Sequence, residues 1–409
     1  MSIIACHDCD LIQRFGPVPD GSAATCSQCG AMLYQNKRNS LDRTLALTVA
    51  GLILFMVANT FPFLGLKLQS QVHETILITG INELYHQGMW ILATVVLLTT
   101  IVMPAAQMLG LLYVLLPIKL NRIPWKLREV FRTVQSLRPW AMMEVFMLGI
   151  LVSIVKLAKM ATIVPGIAAF AFMALIFVLA ATVAVLNPHE VWERIKIQES
   201  IREIQVARTQ LIACHTCHLL CSLPSRRVHQ LVCPRCGAHL HLRKPNSIAR
   251  TWSLILAAAI FYIPANVLPI TIITSFGKEQ SDTIISGVMY FISTGMWPIA
   301  LVIFVASVLV PLLKLLALGF LCFSVQRKSG WRPVDRTKIY RMTEVVGRWS
   351  MVDVYVVTIL VAMVNLGALA NVVAGPAAIY FCGVVIVTMF AAMSFDPRLI
   401  WDNCEENYE

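Results

Sequence analysis

The sequence predicts an all-α integral membrane protein, built as a tandem parallel repeat of two four-helix transmembrane bundles with a small four-cysteine module before each. Three observations carry that prediction. Of 409 residues, 58% are apolar and only 13% charged, with a mean hydropathy of +0.73; soluble domains lie nearer roughly 45–50% and 25%. The second half repeats the first at a nearly constant offset. Eight of the twelve cysteines fall in Cys-x-x-Cys pairs inside polar segments.

Residues 1–43 form the first module. It holds Cys6, Cys9, Cys26 and Cys29 in "CHDCDLIQRFGPVPDGSAATCSQC". No cleavable secretory signal appears, so the first apolar helix is expected to act as its own insertion signal. The first bundle occupies 44–187, with spans at 44–64, 89–117, 140–161 and 167–187. Each is long enough to cross a hydrocarbon core, for which about 20 residues suffice. The second span is longer than needed, which implies tilt or extension past the bilayer. Between the first two spans, "GLKLQSQVHETI" alternates partly between apolar and polar residues, which allows short strands.

A charged linker follows at 188–213, where Val191, Ile195, Ile201 and Ile204 lie roughly on one helical stripe. The second module, 214–248, carries Cys214, Cys217, Cys233 and Cys236. The second bundle covers 249–395, with spans at 249–270, 297–324, 350–372 and 376–395, and 396–409 is a tail.

The repeat is explicit. At an offset of 207, Asn39-Ser40 matches Asn246-Ser247, Asn59 and Pro62 match Asn266 and Pro269, and Pro104 matches Pro311. At 209, Trp140, Met142 and Glu144 match Trp349, Met351 and Asp353. Four spans per half is an even number, so both halves share one orientation. Segments on one side of the spans contain twenty-eight Lys and Arg, against Lys67 and Lys278 on the other. The positive-inside rule therefore places both termini and both modules in the cytosol. It also accounts for the net charge of +11 without nucleic acid.

Two Cys-x-x-Cys pairs supply four thiolates, a set suited to tetrahedral Zn²⁺ in a closed, structural site. Gly30 and Gly237 follow the second pairs, where a knuckle favours positive φ. Modules this small lack a core of their own, so the metal supplies folding energy. A disulfide pair is disfavoured in a reducing cytosol. A redox Cys-x-x-Cys lacks its usual βαβ surroundings. Iron also suits four cysteines, and His7, His215, His218 or Cys221 remain alternative ligands.

Polar residues within spans are candidates for a lipid or translocation path. They are Asn59, Lys156, Lys159, Asn266, Lys314 and Asp353. Each has a plainer reading: snorkelling for Lys156 and Lys159, helix capping or packing for the asparagines, and an interhelical bond near Lys314 and Asp353. Gln107 and Glu144 stand at the last pair's places in the first half. Pro104 and Pro311 should kink their helices. No phosphate loop, metalloprotease helix or nucleophile elbow is found, so nothing argues for an enzyme.

The motifs "PANVLP" (264–269), "DTIISG" (282–287), "GRWSMVDV" (347–354) and "FDPRLIWD" (395–402) stand beside the cysteine quartets. First-half counterparts include "ANTFPF" and "RPWAMMEV". With them the chain resembles the paraquat-inducible protein A family of bacterial inner-membrane proteins over essentially its whole length. That resemblance implies a periplasmic MCE-domain partner and the movement of phospholipid, or another hydrophobic molecule, between inner and outer membranes. Two other readings stay open: an ion-coupled exporter of small amphiphiles, and a sensor or scaffold responding to metal or redox stress.

Overall fold

In the computed structural model the described residues are 2–16, 18–68, 71–122, 124–157, 162–195, 211–222, 231–275, 278–363 and 370–402. Eight helices are long and apolar enough to cross a membrane, making this a multi-pass membrane protein. Their bounds are Ser40–Thr60, Trp90–Lys119, Leu127–Val155, Ile167–Val185, Ser247–Val267, Ala300–Gln326, Pro333–Met363 and Ala377–Ser394.

The third and seventh begin earlier than hydropathy suggests. Each opens with a more polar cationic helix, Leu127–Leu137 or Pro333–Gly347, and passes through a tight turn at Arg138–Trp140 or Arg348–Met351. In the first of these, Leu127, Phe131 and Val134 share a buried face at i, i+4 and i+7. The seventh helix also ends earlier than expected. Its described part runs to Met363, and Ala370–Ala374 is a strand rather than span.

The repeated residues have local reasons. Ser40 Oγ donates to Val185 O and accepts from the Asn187 amide, at 3.2 and 3.0 Å. Ser247 makes the same pair with Ser394 O and the Asp396 amide, at 2.8 and 3.0 Å. Each serine thus ties the start of its bundle's first span to the end of the fourth. The asparagine before it, Asn39 or Asn246, takes φ of 52° or 53°, a left-handed conformation that asparagine tolerates. Lys37 and Lys244 donate to carbonyls at the C-terminal ends of the same fourth spans, where a cation is favoured.

Pro104 and Pro311 each follow a π-helical turn, Leu98–Val102 and Val305–Leu309. A proline lacks an N–H and crowds the carbonyl four residues back, and the wider turn absorbs both effects.

At the end away from the modules, each half builds a three-stranded antiparallel sheet. Leu64–Leu68 pairs with Gln71–Thr75 and with Thr162–Pro165. Thr271–Ser275 pairs with Lys278–Asp282 and with Ala370–Ala374. The third strand of each sheet comes from the turn between the third and fourth spans: Thr162–Pro165 fills the gap between the expected spans 140–161 and 167–187, whereas Ala370–Ala374 overlaps the end of the expected span 350–372. Gly166 and Gly375 follow these strands, and a Cβ there would stand 2.2 and 2.1 Å from the carbonyl oxygens of Pro62 and Pro269. Close backbone approach therefore demands glycine beside each repeated proline.

The halves meet along the third and seventh helices. Phe146 and Tyr355 lie edge to face with ring centroids 5.2 Å apart, and Tyr355 Oη is 2.9 Å from Thr99 Oγ1. Gln87 of the first half donates to Val372 O and accepts from the Ala374 amide in the second half's sheet.

Candidate metal centres and the adjoining cavity

Each module is a pair of short antiparallel hairpin elements that bring two turns face to face. In the first, Ser2–Ala5 pairs with Ile12–Phe15, and Ala23–Thr25 with Met32–Gln35. In the second, Leu211–Ala213 pairs with Leu220–Ser222, and Val232 bridges His239. Every turn closes with a backbone bond back to its first cysteine, as in Asp10 N to Cys6 O and Gly30 N to Cys26 O, both 3.0 Å. The residue after each second cysteine is left-handed: Asp10, Gly30, His218 and Gly237.

The four sulfurs of each module are buried and lie within 4.8 Å of one another. Cys6 to Cys29 is 3.4 Å and Cys9 to Cys26 is 3.5 Å; the second quartet repeats these values. Sulfurs at about 2.3 Å from a tetrahedral ion would be about 3.8 Å apart, so both quartets can hold a metal with little adjustment. Bonding from Cys9 pulls the Cys6 thiol down to about 5, while burial lifts Cys29 to about 11. Bonding from Cys217 brings Cys214 to about 7. A divalent cation is what lets four such groups ionise together. Cys221 is buried near the second quartet but outside it, and Cys404 lies outside the described residues.

The packing of the modules is crossed. The first module precedes the first bundle, yet its four cysteines share a core with Leu315, Leu318, Tyr340 and Phe395 of the second. The second module's cysteines share a core with Leu111, Phe131 and Val134 of the first, and with Trp192 in the short helix that follows it. His7 and His218 meet across the modules with centroids 6.1 Å apart.

Equivalent arginines clasp the two modules unequally. Arg341 donates to the buried Asp8 carboxylate at 2.7 Å and to the Cys29 sulfur at 3.4 Å. Its counterpart 209 residues earlier, Arg132, donates to Gly237 O at 3.2 Å. Asp10 accepts from Arg243, which also holds Asp402 through Nε at 3.1 and 3.2 Å. Asp8→Asn is expected to speed metal release from the first module to a chelator and to cost about 1–2 kcal/mol of stability. The check is release kinetics and a thermal melt.

The sequence had not singled out Asp8, Asp10, Arg243 or Arg341. A signal existed: within the first cysteine pair the offset is 208, which sets Asp8 against Thr216 and Asp10 against His218.

A cavity of about 1640 Å³ lies between the second module, the first bundle and an edge of the first module. It reaches from His215, His218 and Arg235 in the module to Gln107 and Leu111 on the second span.

The other candidate residues do not gather there. Asn59 and Asn266 each donate to the carbonyl four residues back in their own helix, Phe55 O at 2.8 Å and Tyr262 O at 2.9 Å. Lys314 is 4% exposed and its Nζ has no hydrogen-bond partner among the described residues. It packs on Gly347, where a Cβ would lie 2.5 Å from Nζ. Asp353 stands six residues further along, in the first turn of its helix. Lys156 closes the helix Met143–Leu157; its side chain, and all of Lys159, lie outside the described residues, as do residues 196–210 of the expected linker helix.

Eight candidate spans in two repeats, with paired four-cysteine modules, define a duplicated polytopic membrane protein with two buried cysteine clusters that could each hold a metal ion. The model of the Paraquat-inducible protein A family matches residues 41–196 and 248–405, once per half. The chain belongs to that family. It is 32% identical to the Intermembrane transport protein PqiA of Escherichia coli K12, over 99% of this chain and 96% of that one. It is also 32% identical to the Lipophilic envelope-spanning tunnel protein A of the same organism, over 97% and 90%. A Probable intermembrane transport protein of Haemophilus influenzae is 28% identical over 98% and 95%. No solved structure matches.

Proposed function

We propose that this protein is the inner-membrane component of an intermembrane transport system, loading or receiving lipid for a periplasmic MCE-protein tunnel and so supporting envelope integrity. The observation that carries the reading is end-to-end similarity to relatives named for intermembrane transport and for a lipophilic envelope-spanning tunnel. The amphipathic cavity supports it, because a lipid needs both a polar and an apolar wall. Both modules face the cytosol in this reading, in line with the charge asymmetry. Each quartet holds Zn²⁺ structurally, since four thiolates leave no open position for substrate. The role is transport rather than catalysis, as the relatives' names imply.

The test is lipid mass spectrometry of the purified protein together with crosslinking in cells. Enriched phospholipid and a crosslinked MCE protein are expected. Neither appearing would defeat the reading.

A second reading, ion-coupled export of small amphiphiles, is favoured by one observation: the buried Lys314 amine with no hydrogen-bond partner among the described residues. Replacing a buried polar group that lacks a partner by an apolar side chain of similar length relieves a desolvation penalty of about 1–3 kcal/mol. Lys314→Met is therefore expected to melt higher than the native protein. If transport survives that substitution, ion coupling through Lys314 is excluded.

A further inference from the structure

We propose that the cavity between the second module and the first bundle binds a phosphate-bearing anion, with the headgroup of an anionic phospholipid as its membrane source. The inference rests on the lipid-handling reading for that source, and on the cavity's own chemistry for the anion.

Six Lys and Arg side chains line the cavity: Lys37, Arg132, Arg138, Arg235, Lys244 and Arg398. Five histidines join them, and no Asp or Glu lines it among the described residues. Some of this charge already has employment. Lys37 and Lys244 cap the fourth spans of the two bundles, and Arg398 pairs with Asp396 at 2.9 Å. Arg132, Arg138 and Arg235 form no ion pair among the described residues, and the Arg235 Nε is buried without a hydrogen-bond partner there. Burial chiefly, and the nearby Arg138 charge to a lesser degree, depress the Lys37 pKa.

The repeat shows that this charge is not imposed by the fold. In the first module, Asp8 neutralises Arg341, and Asp10 faces Arg243 and Arg398. In the second module the same two places hold Thr216 and His218, and both line the cavity. Arg132, the counterpart of Arg341, consequently meets a carbonyl where its twin meets a carboxylate. One site of the pair is internally neutralised and the other is left wanting an anion.

Guanidinium forks match phosphate oxygens in geometry as well as charge. The remaining wall suits an acyl chain. Leu111, Val134, Val183, Leu186 and Trp192 line it, and Leu111 and Val183 belong to spans. The indole N–H of the buried Trp192 has no hydrogen-bond partner among the described residues, whereas its counterpart Trp401 donates to Thr337 Oγ1 at 3.0 Å. Cationic groups at one end and aliphatic ones running into the spans describe a seat for an anionic amphiphile.

The test is calorimetric titration of the full-length protein in neutral detergent with dihexanoyl phosphatidylglycerol, dihexanoyl phosphatidylcholine and inorganic phosphate. Saturable binding of the phosphatidylglycerol is expected, with phosphatidylcholine much weaker. Each charge-assisted contact removed should weaken binding about tenfold, so Arg132→Gln with Arg235→Gln should reduce affinity by about a hundredfold. Thr216→Asp with His218→Asp, which restores the first module's carboxylates, should do the same. Arg332→Gln, on an exposed helix start of the other half, should leave it unchanged. Metal content and melting confirm that each variant is folded. Competition by inorganic phosphate at comparable concentration would support the site and assign it a soluble anion; no such competition would support it and assign the lipid. No phosphatidylglycerol binding, equal binding of phosphatidylcholine, or undiminished binding by a folded Thr216→Asp, His218→Asp variant overturns the proposal. A protein that fails here but copurifies with lipid and crosslinks to an MCE partner loses this inference and keeps the proposed function.

Discussion

Cys233→Ser is expected to halve the metal content of the purified protein and to loosen the first bundle while sparing the second. The magnitude follows from how little else holds the module. Its described strands are three residues each, Leu211–Ala213 and Leu220–Ser222, and a hairpin that small is marginal in water. Structural zinc contributes about 10–16 kcal/mol to comparable peptides, so a quartet reduced to three sulfurs leaves the fold largely unsupported. The location follows from the crossed packing. The second module covers Phe131, Val134 and Trp192, so its collapse exposes the foot of the first bundle. Hydrogen exchange should rise in 127–137 and 211–222, and stay unchanged in 333–347. The mirror substitution, Cys26→Ser, should reverse the pattern. Retention of two metals per chain would refute the ligand assignment. Faster exchange in 333–347 after Cys233→Ser would refute the crossing.

Much of this molecule was legible because its signals are local. Spans announce themselves by hydropathy, and the duplication by an offset that any two matched motifs reveal. The cysteine spacing pointed to two buried quartets before any geometry was known. What stayed hidden depended on partners distant in sequence. The helix Leu127–Leu137 reads as a charged loop until Leu127, Phe131 and Val134 are seen to share the face that the second module covers. The strand Thr162–Pro165 is too short to announce itself in the gap between two spans, and Ala370–Ala374 is apolar enough to merge with the span before it; only the pairing with Leu64–Leu68 and Thr271–Ser275 reveals them. The crossing could not be read at all. Nothing in the cysteine spacing says which bundle a module packs on, and connectivity alone puts each beside the bundle that follows it. Asp8 went unremarked in the sequence, yet it is 5% exposed and bound to an arginine 333 residues away.

Gly149→Leu is expected to drive the two halves apart. Gly149 lies on the third span, where the halves meet, and a Cβ there would stand 2.8 Å from the Tyr355 Cβ and 3.4 Å from the Val356 amide. Neither neighbour is the loose end of a flexible chain. Tyr355 is fully buried, held edge to face by Phe146 and bonded through its hydroxyl to Thr99. Ser153 adds a close contact, with its Oγ 2.8 Å from Gly149 O and 3.4 Å from Val356 O. One added methyl in such a place costs about 1–3 kcal/mol, and a leucine adds several more carbons with nowhere to go. The helix-propensity gain on leaving glycine, about 1 kcal/mol, cannot offset that. Gly287 separates the two effects. It is also helical but has nothing within 4 Å of its would-be Cβ, so Gly287→Ala should leave melting unchanged or raise it slightly. The measurement is thermal unfolding in detergent, paired with crosslinking between cysteines introduced at Gln87 and Val372, which the native interface holds together. Gly149→Leu should melt well below the native protein and lose the crosslink. Native melting with the crosslink intact would mean that the third and seventh spans do not pack as closely as described, and the tandem halves would need another joint.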